Sequence, residues 1–255
     1  MAESLIEHAL TSGVYLLEVA LLVLLFLGGR WRRLFSVFLY LLLFFAADAL
    51  GRTYVLYRFG VNSTTYGYFY WLTDALLALA AFLLVCAFFR RACSKEEKMW
   101  RFLRLVLVSV FILVVGISLL TLSRNYTHLW TYGSMFIVEF GQNLYFTCLV
   151  LNTLLYVLLQ QNESADEELG LLVCGIGIQF AGPAASLALY HLTGPNLRGP
   201  FAALTKFVLP ACTLAMLLVW LYAIARAPRP VRVAARGGKI PVLAEVTASS
   251  EVSAG

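Results

Sequence analysis

The sequence predicts an all-α polytopic membrane protein, a seven-transmembrane-helix bundle with its N-terminus outside and its C-terminus cytoplasmic. Three observations predict it. Of 255 residues, 61% are hydrophobic and only 13% charged, against about 25% charged in a soluble domain, so the chain has too little polar surface to face water all round. The apolar residues gather into runs of about 20 residues, the length a helix needs to cross a hydrocarbon core. Lysine and arginine fall almost entirely on one side of those runs. No alternation of period 2 suggests a barrel, and open sheet edges are not viable in lipid.

The first run, 10–29, follows the opening "MAESLIEHALTSGVYLL", which carries Glu3 and Glu7 and no basic residue. A cleaved signal peptide needs a positive leading region, so this reads as a retained first span. The second run, 34–57, and the fifth, 133–160, exceed what the hydrocarbon core requires and should tilt or project. The third and fourth lie at 68–89 and 103–122. The sixth, 169–191, contains "CGIGIQFAGPAAS" (174–186), dense in Gly and Ala, with Gln179 near mid-membrane and Pro183. Small residues let helices approach closely, and a proline permits a kink. The seventh, 201–225, carries Lys206 one turn before Pro210. Residues 1–226 therefore read as one transmembrane domain. Residues 227–255 are Pro/Arg-rich, then small and polar, and read as a disordered cytoplasmic tail.

Orientation follows from the cations. The first loop holds Arg30, Arg32 and Arg33, and the third holds Arg90, Arg91, Lys95, Lys98, Arg101 and Arg104. The tail adds Arg226, Arg229, Arg232, Arg236 and Lys239. The other side has only Arg58, Arg124 and Arg198. The positive-inside rule then places the C-terminus in the cytoplasm, and the acidic fifth loop "QNESADEE" carries little weight against it. Tyr66, Tyr68, Tyr70, Trp71, Trp130 and Tyr132 fit an outer aromatic belt, with Trp31, Trp100, Trp220 and Tyr222 at the inner one. The expected partners are the lipid bilayer of a cell inner or plasma membrane and, for the basic tail, anionic lipid headgroups. The cytoplasmic loops offer a contact surface for a protein partner. The modest charge of +5 is explained by orientation, and nucleic acid is not called for.

Six ionisable residues fall inside spans: Glu18, Asp48, Arg52, Asp74, Glu139 and Lys206. Each is costly in lipid and asks for a partner or a water-filled cavity. At ~1.5 Å per residue Lys206 lies ~9 Å below the outer boundary. Asp74 and Glu139 sit about as deep, Asp48 and Arg52 near the outer end, and Glu18 about halfway. The inner halves are almost bare of such groups. Asp48 and Arg52 stand four apart and can pair on one helix face. Glu139, Gln142 and Asn143, at i, i+3 and i+4, form a polar stripe that must face the bundle interior. Lys206 then pairs with Asp74, Glu139 or Glu18, or snorkels to the outer interface. The cluster reads in two ways, as a structural network that fixes helix register, or as an outward-opening site for a ligand or ion.

Catalytic and metal chemistry find little support. The five cysteines lack metal-ligand spacing. His8, His128 and His191 are scattered over the outer face without HxxxH or carboxylate spacing. Asn62 and Asn125 head glycosylation sequons on the outer side. A lysine in the last of seven spans invites comparison with microbial rhodopsins, where such a lysine binds retinal. Ala202 stands four before Lys206, where that family has an acid, and the sixth span lacks its aromatic-proline signature. No cofactor is expected. The segment "YGYFYWLTDALLALAAFLLVCAFFRR" (66–91), with the basic loop and span after it, resembles bacterial seven-span proteins in which a Tyr/Trp-rich outer segment leads into a third span with an early acid. The resemblance covers about residues 35–190 and implies a seven-helix bundle in a bacterial inner membrane; Lys206 lies outside it.

These readings favour a receptor- or sensor-like protein whose outer polar residues read a small polar ligand, cation or proton. A secondary transporter or ion-coupled carrier using the same acids is the alternative, and a structural or partner-binding membrane subunit the third. An enzyme is not expected, since no nucleophile–base spacing, phosphate loop or metal motif is present.

Overall fold

The structure, a computed structural model, describes residues 2–60, 63–94, 97–125, 129–161, 166–193 and 200–226, with side chains outside that description at 2–8, 122–135, 183 and 186–206. The side chains of Lys206, His8, His128, His191, Asn62 and Asn125, and the whole 227–255 tail, therefore lie outside the described residues. All regular structure among the described residues is helical. The long helices are α1 (Ala2–Leu27), α2 (Phe35–Phe59), α3 (Thr64–Ala92), α4 (Glu97–Asn125), α5 (Leu129–Gln161), α6 (Glu167–Thr193) and α7 (Pro200–Arg226).

Their boundaries follow the apolar runs and are closed by local chemistry. Gly29 at φ 65° ends α1, and Gly60 at φ 80° ends α2. Both are left-handed positions that only glycine takes without strain. Ser63 caps α3, its hydroxyl accepting the Thr65 N–H at 3.2 Å. A three-residue 3-10 turn, Arg30–Arg32, joins α1 to α2. Six of the helices contain stretches long and apolar enough to cross a membrane: Ala9–Leu27, Phe35–Phe59, Thr64–Ala92, Glu97–Thr121, Phe136–Gln161 and Phe207–Arg226. Their outward side chains are apolar as well. Leu105, Ile112, Leu113 and Leu120 of α4 and Leu16, Phe26 and Leu27 of α1 are all well exposed, a surface untenable in water and natural in lipid. The fold is compatible with an integral membrane protein.

Neighbouring helices close a ring. α1 packs on α2, α2 on α3, α3 on α5, α5 on α6, α6 on α7, and α7 back on α1. α4 stands outside this ring against α5, and its Phe111 meets Phe82 of α3 at 5.4 Å between ring centroids. The tightest seam lies between α6 and α7. A Cβ on Gly175 would fall 2.6 Å from the Trp220 indole, so glycine is what lets that ring enter the core. Trp220 is fully buried there, and its N–H donates to the Leu172 carbonyl at 2.9 Å. The sequence places Trp220 near the inner interface, and the structure turns its ring into the helix core. A large flat side chain with one polar atom is equally suited to a core that supplies one acceptor.

The second helix is not uniform. Phe35–Phe45 and Thr53–Phe59 are α-helical, whereas Ala46–Arg52 winds as a π-helix. Widened turns of this kind recur at functional sites. Here one presents Asp48 and Arg52 to the bundle interior, and Gly51 leaves room for Phe69 of α3, whose Cζ would lie 2.9 Å from an added Cβ.

At the end of the bundle away from the N-terminus, four charged side chains tie three segments together. Arg33 and Arg91 both engage Glu168, at 2.5 and 3.0 Å, and Arg91 also pairs with Asp166. Arg30 donates to the Ile224 carbonyl of α7. The acids of the fifth loop, set aside in the orientation argument, thus anchor the basic first loop and the end of α3.

Candidate functional site

The polar residues of α2 and α3 converge on one guanidinium. Arg52 donates from Nη1 to Asp48 Oδ1 at 3.0 Å, from Nη2 to Asp74 Oδ1 at 3.4 Å and from Nε to the Thr73 hydroxyl at 3.2 Å. Its plane lies over the Tyr70 ring, with Cζ 4.3 Å from the centroid. Thr73 is itself held by donating to the Phe69 and Tyr70 carbonyls, at 2.9 and 2.8 Å. Tyr145 of α5 lines the same space as Asp74. A planar fork of donors suits this arrangement because each nitrogen meets a different acceptor.

This assembly forms part of the wall of a cavity of about 220 Å³. Every helix of the ring contributes: Tyr15 from α1, Asp48 and Arg52 from α2, Asp74 from α3, Tyr145 from α5, Gln179 from α6 and Thr213 from α7. Apolar surface from Val14, Phe44, Leu77, Leu209 and Pro210 completes it. α4, outside the ring, contributes nothing among the described residues. Because α1, α3, α5 and α7 begin, and α2 and α6 end, at the end that holds the N-terminus, the cavity reaches from the middle of the bundle, where Tyr15, Tyr145, Gln179 and Thr213 stand, toward that end, where Thr11 and Arg52 lie. At about 30 Å³ per water it holds roughly seven waters, or a small molecule. The carboxyl groups keep contact with it: Asp48 is 28% and Asp74 31% exposed, whereas the Arg52 side chain is 16% exposed. The acids are therefore presented to the cavity, and the guanidinium is spent on holding them.

One turn further into the bundle stands Glu18, three and four residues after Tyr15 and Val14 on the same face of α1. It is fully buried, and neither carboxyl oxygen has a hydrogen-bond partner among the described residues. Asp48 lies within its electrostatic reach. The Gln179 side-chain oxygen, at the cavity wall, is likewise buried and unpartnered. Further along the bundle Tyr40, Met216 and Trp220 are buried, with Tyr40 edge-on to Trp220 at 5.9 Å, while Phe180 packs at the level of the cavity, 6.3 Å from the Tyr145 ring.

The residues singled out in sequence thus separate. Asp48, Arg52 and Asp74 come together, with Glu18 beneath them. Glu139 and Gln142 do not line the cavity, and Asn143 turns to α4, donating to the fully buried Ser118 hydroxyl at 3.0 Å. The polar stripe on α5 faces the interior only in part, since 143 and 145 point to different neighbours. Tyr70, assigned by sequence to the outer aromatic belt, is drawn inward beneath Arg52, while Tyr68 and Trp71 stay exposed. Thr73, Tyr15 and Tyr145 were not anticipated. Thr73 precedes Asp74, and a hydroxyl beside an intramembrane acid is the one local signal that marked it.

Comparison of the chain with protein-family models, with curated proteins and with solved structures gives no match.

Proposed function

We propose that this chain is a seven-helix, multi-pass protein of a cell inner or plasma membrane, N-terminus outside, of receptor or sensor type. Its outward half takes up a small polar ligand in the ring cavity. One observation carries the reading: six helices meet around a space whose acidic groups are held by a guanidinium with each of its nitrogens already engaged. A structural ion pair needs no such space, and preorganised polar groups around a small cavity are what ligand sites share. The described lining holds two carboxyl groups against one guanidinium, alongside the rings of Tyr15, Tyr70 and Tyr145. That balance favours a cationic ligand, drawn by charge and by aromatic faces. Lys206 stands three positions before the cavity-lining Leu209 and remains a candidate contributor; Glu139, Gln142 and Asn143 do not. The buried side chains of Tyr40, Met216 and Trp220 further along the bundle favour a site that reads a ligand over one that passes it through.

The test is a thermal-shift screen of the purified protein against small cationic, zwitterionic, anionic and neutral compounds. Cationic compounds should stabilise the wild type and lose at least tenfold in affinity with Asp48→Asn/Asp74→Asn. Ligands that stabilise the wild type and the double variant equally would remove the basis of the reading.

Glu18 supports a second reading, an ion-coupled carrier, since a buried carboxyl beside the cavity, without a hydrogen-bond partner among the described residues, is where a coupling ion would move next. Proteoliposome flux abolished by Glu18→Gln would favour it; absence of any ion or solute flux in the wild type would end it.

A further inference from the structure

At the opposite end of the bundle a second recess, of about 280 Å³, opens between the start of α2 and the end of α3. Its polar wall consists of Arg33, Arg90, Arg91, Ser36 and Ser94. Arg33 and Arg91 are anchored through a single nitrogen each, Nη2, to Glu168 and Asp166. Their Nη1 and Nε groups have no partner among the described residues. Arg90 is exposed and has no ion-pair partner among them at all. Among the described residues, three guanidinium groups against two acids leave an excess positive charge at the recess.

The recess is also amphipathic along the helix axes. On α3 the positions 83, 87 and 90 form one stripe at i, i+4 and i+7, and Ser94 lies in the turn just past its end. The stripe runs from Arg90, through Ala87, to the exposed Leu83. On α2, Ser36 is followed one turn on by the exposed Leu39. Buried Leu34, Val37 and Phe88 form an apolar back wall. Hydrogen-bonding cations at a helix end, grading within two turns into lipid-facing apolar side chains, match a molecule with a phosphate head and a hydrocarbon tail.

We infer that this recess is a binding site for an anionic phospholipid. The phosphate sits among Arg33, Arg90 and the Ser36 and Ser94 hydroxyls, and an acyl chain follows the Ala87–Leu83 stripe. Charge-assisted, forked hydrogen bonds make guanidinium the preferred donor to such a phosphate, and basic recesses between helix ends are where anionic headgroups are held. The inference rests on membrane embedding and is independent of the cavity's ligand.

The experiment is native mass spectrometry of the full chain released from nanodiscs containing equal phosphatidylglycerol and phosphatidylcholine. Phosphatidylglycerol should be retained preferentially. The double variant Arg90→Ala/Ser94→Ala spares the Arg33–Arg91–Glu168 network, and should weaken that retention about fivefold, the share of one headgroup cation. The control Arg101→Ala, another exposed cation at this end of the chain, should not. Equal retention of both lipids, or equal losses from the groove variant and the control, would overturn the inference. So would stabilisation by inorganic phosphate alone that matches the lipid's, since the site would then read a free anion.

Discussion

Replacing Arg52 with methionine removes the centre of the polar assembly while keeping a long apolar stem. The loss can be worked from its contacts. The bond to Asp48 at 3.0 Å is charge-assisted and contributes about 1.5 kcal/mol. The bonds at 3.4 Å to Asp74 and 3.2 Å to Thr73 are long and contribute about 0.5 kcal/mol each. The stack over Tyr70 at 4.3 Å adds about 0.5–1 kcal/mol. That totals near 3 kcal/mol. Two effects lower it: the carboxyls keep roughly a third of their surface in contact with the cavity, which screens them, and helices unfolded within a membrane find other partners. The expected cost is about 2 kcal/mol, read as a shift in SDS-induced unfolding in mixed micelles. Arg52→Lys should fall between, because one ammonium keeps the charge and loses the fork. The decisive comparison is the triple variant Asp48→Asn/Arg52→Met/Asp74→Asn. If the cost arises from carboxyls stripped of their counter-charge, neutralising all three should recover about half of it. A single Arg52→Met variant within about 0.5 kcal/mol of wild type, the range of an inconsequential surface change, would refute the reasoning. A triple variant no better than the single one would do the same.

Two further outcomes follow. Gly175→Ala should destabilise by about 1–3 kcal/mol, since its methyl would fall 2.6 Å from the Trp220 indole and overpacked cores cost that much; an unchanged melting temperature would show the α6–α7 seam to be looser than described. Glu18→Leu should raise stability by about 1 kcal/mol, because a buried carboxyl without a hydrogen-bond partner among the described residues gives way to a side chain matching Leu21 and Leu25 on the same face. A loss of stability would mean that Glu18 is bonded, through a water or a bound cation.

Much of the fold was readable because its signals are local. Runs at 34–57 and 201–225 become helices Phe35–Phe59 and Pro200–Arg226 because hydropathy and helix length act within one segment. The Asp48–Arg52 pair was readable for the same reason, both partners lying on one helix four residues apart. What could not be read is which way a side chain turns once helices assemble. Asp74 joins Arg52, and Tyr70 leaves the interface to lie beneath it, because α3 is rotated by its packing on α2, a relation between segments 20 residues apart. Asn143 goes to Ser118 on α4 for a similar reason. The π-helical turn is hidden more deeply, since "AADALGR" contains no proline and reads as ordinary helix. Its widening accompanies the close approach of Gly51 and Phe69, a tertiary contact.

The ring is closed by its first and last members, and that sets the order in which the cavity can come into being. In order of synthesis Asp48 and Arg52 come first, together on one helix, each already carrying its counter-charge. Asp74 meets them when α3 arrives. Tyr145 and Gln179 must wait for α5 and α6, and the wall facing α1 is missing until Leu209, Pro210 and Thr213 are synthesised and α7 docks beside the oldest helix in the bundle. Until then the acids lie in an incomplete ring. A chain cut short anywhere before residue 209 would pair its first charges locally and never enclose the cavity.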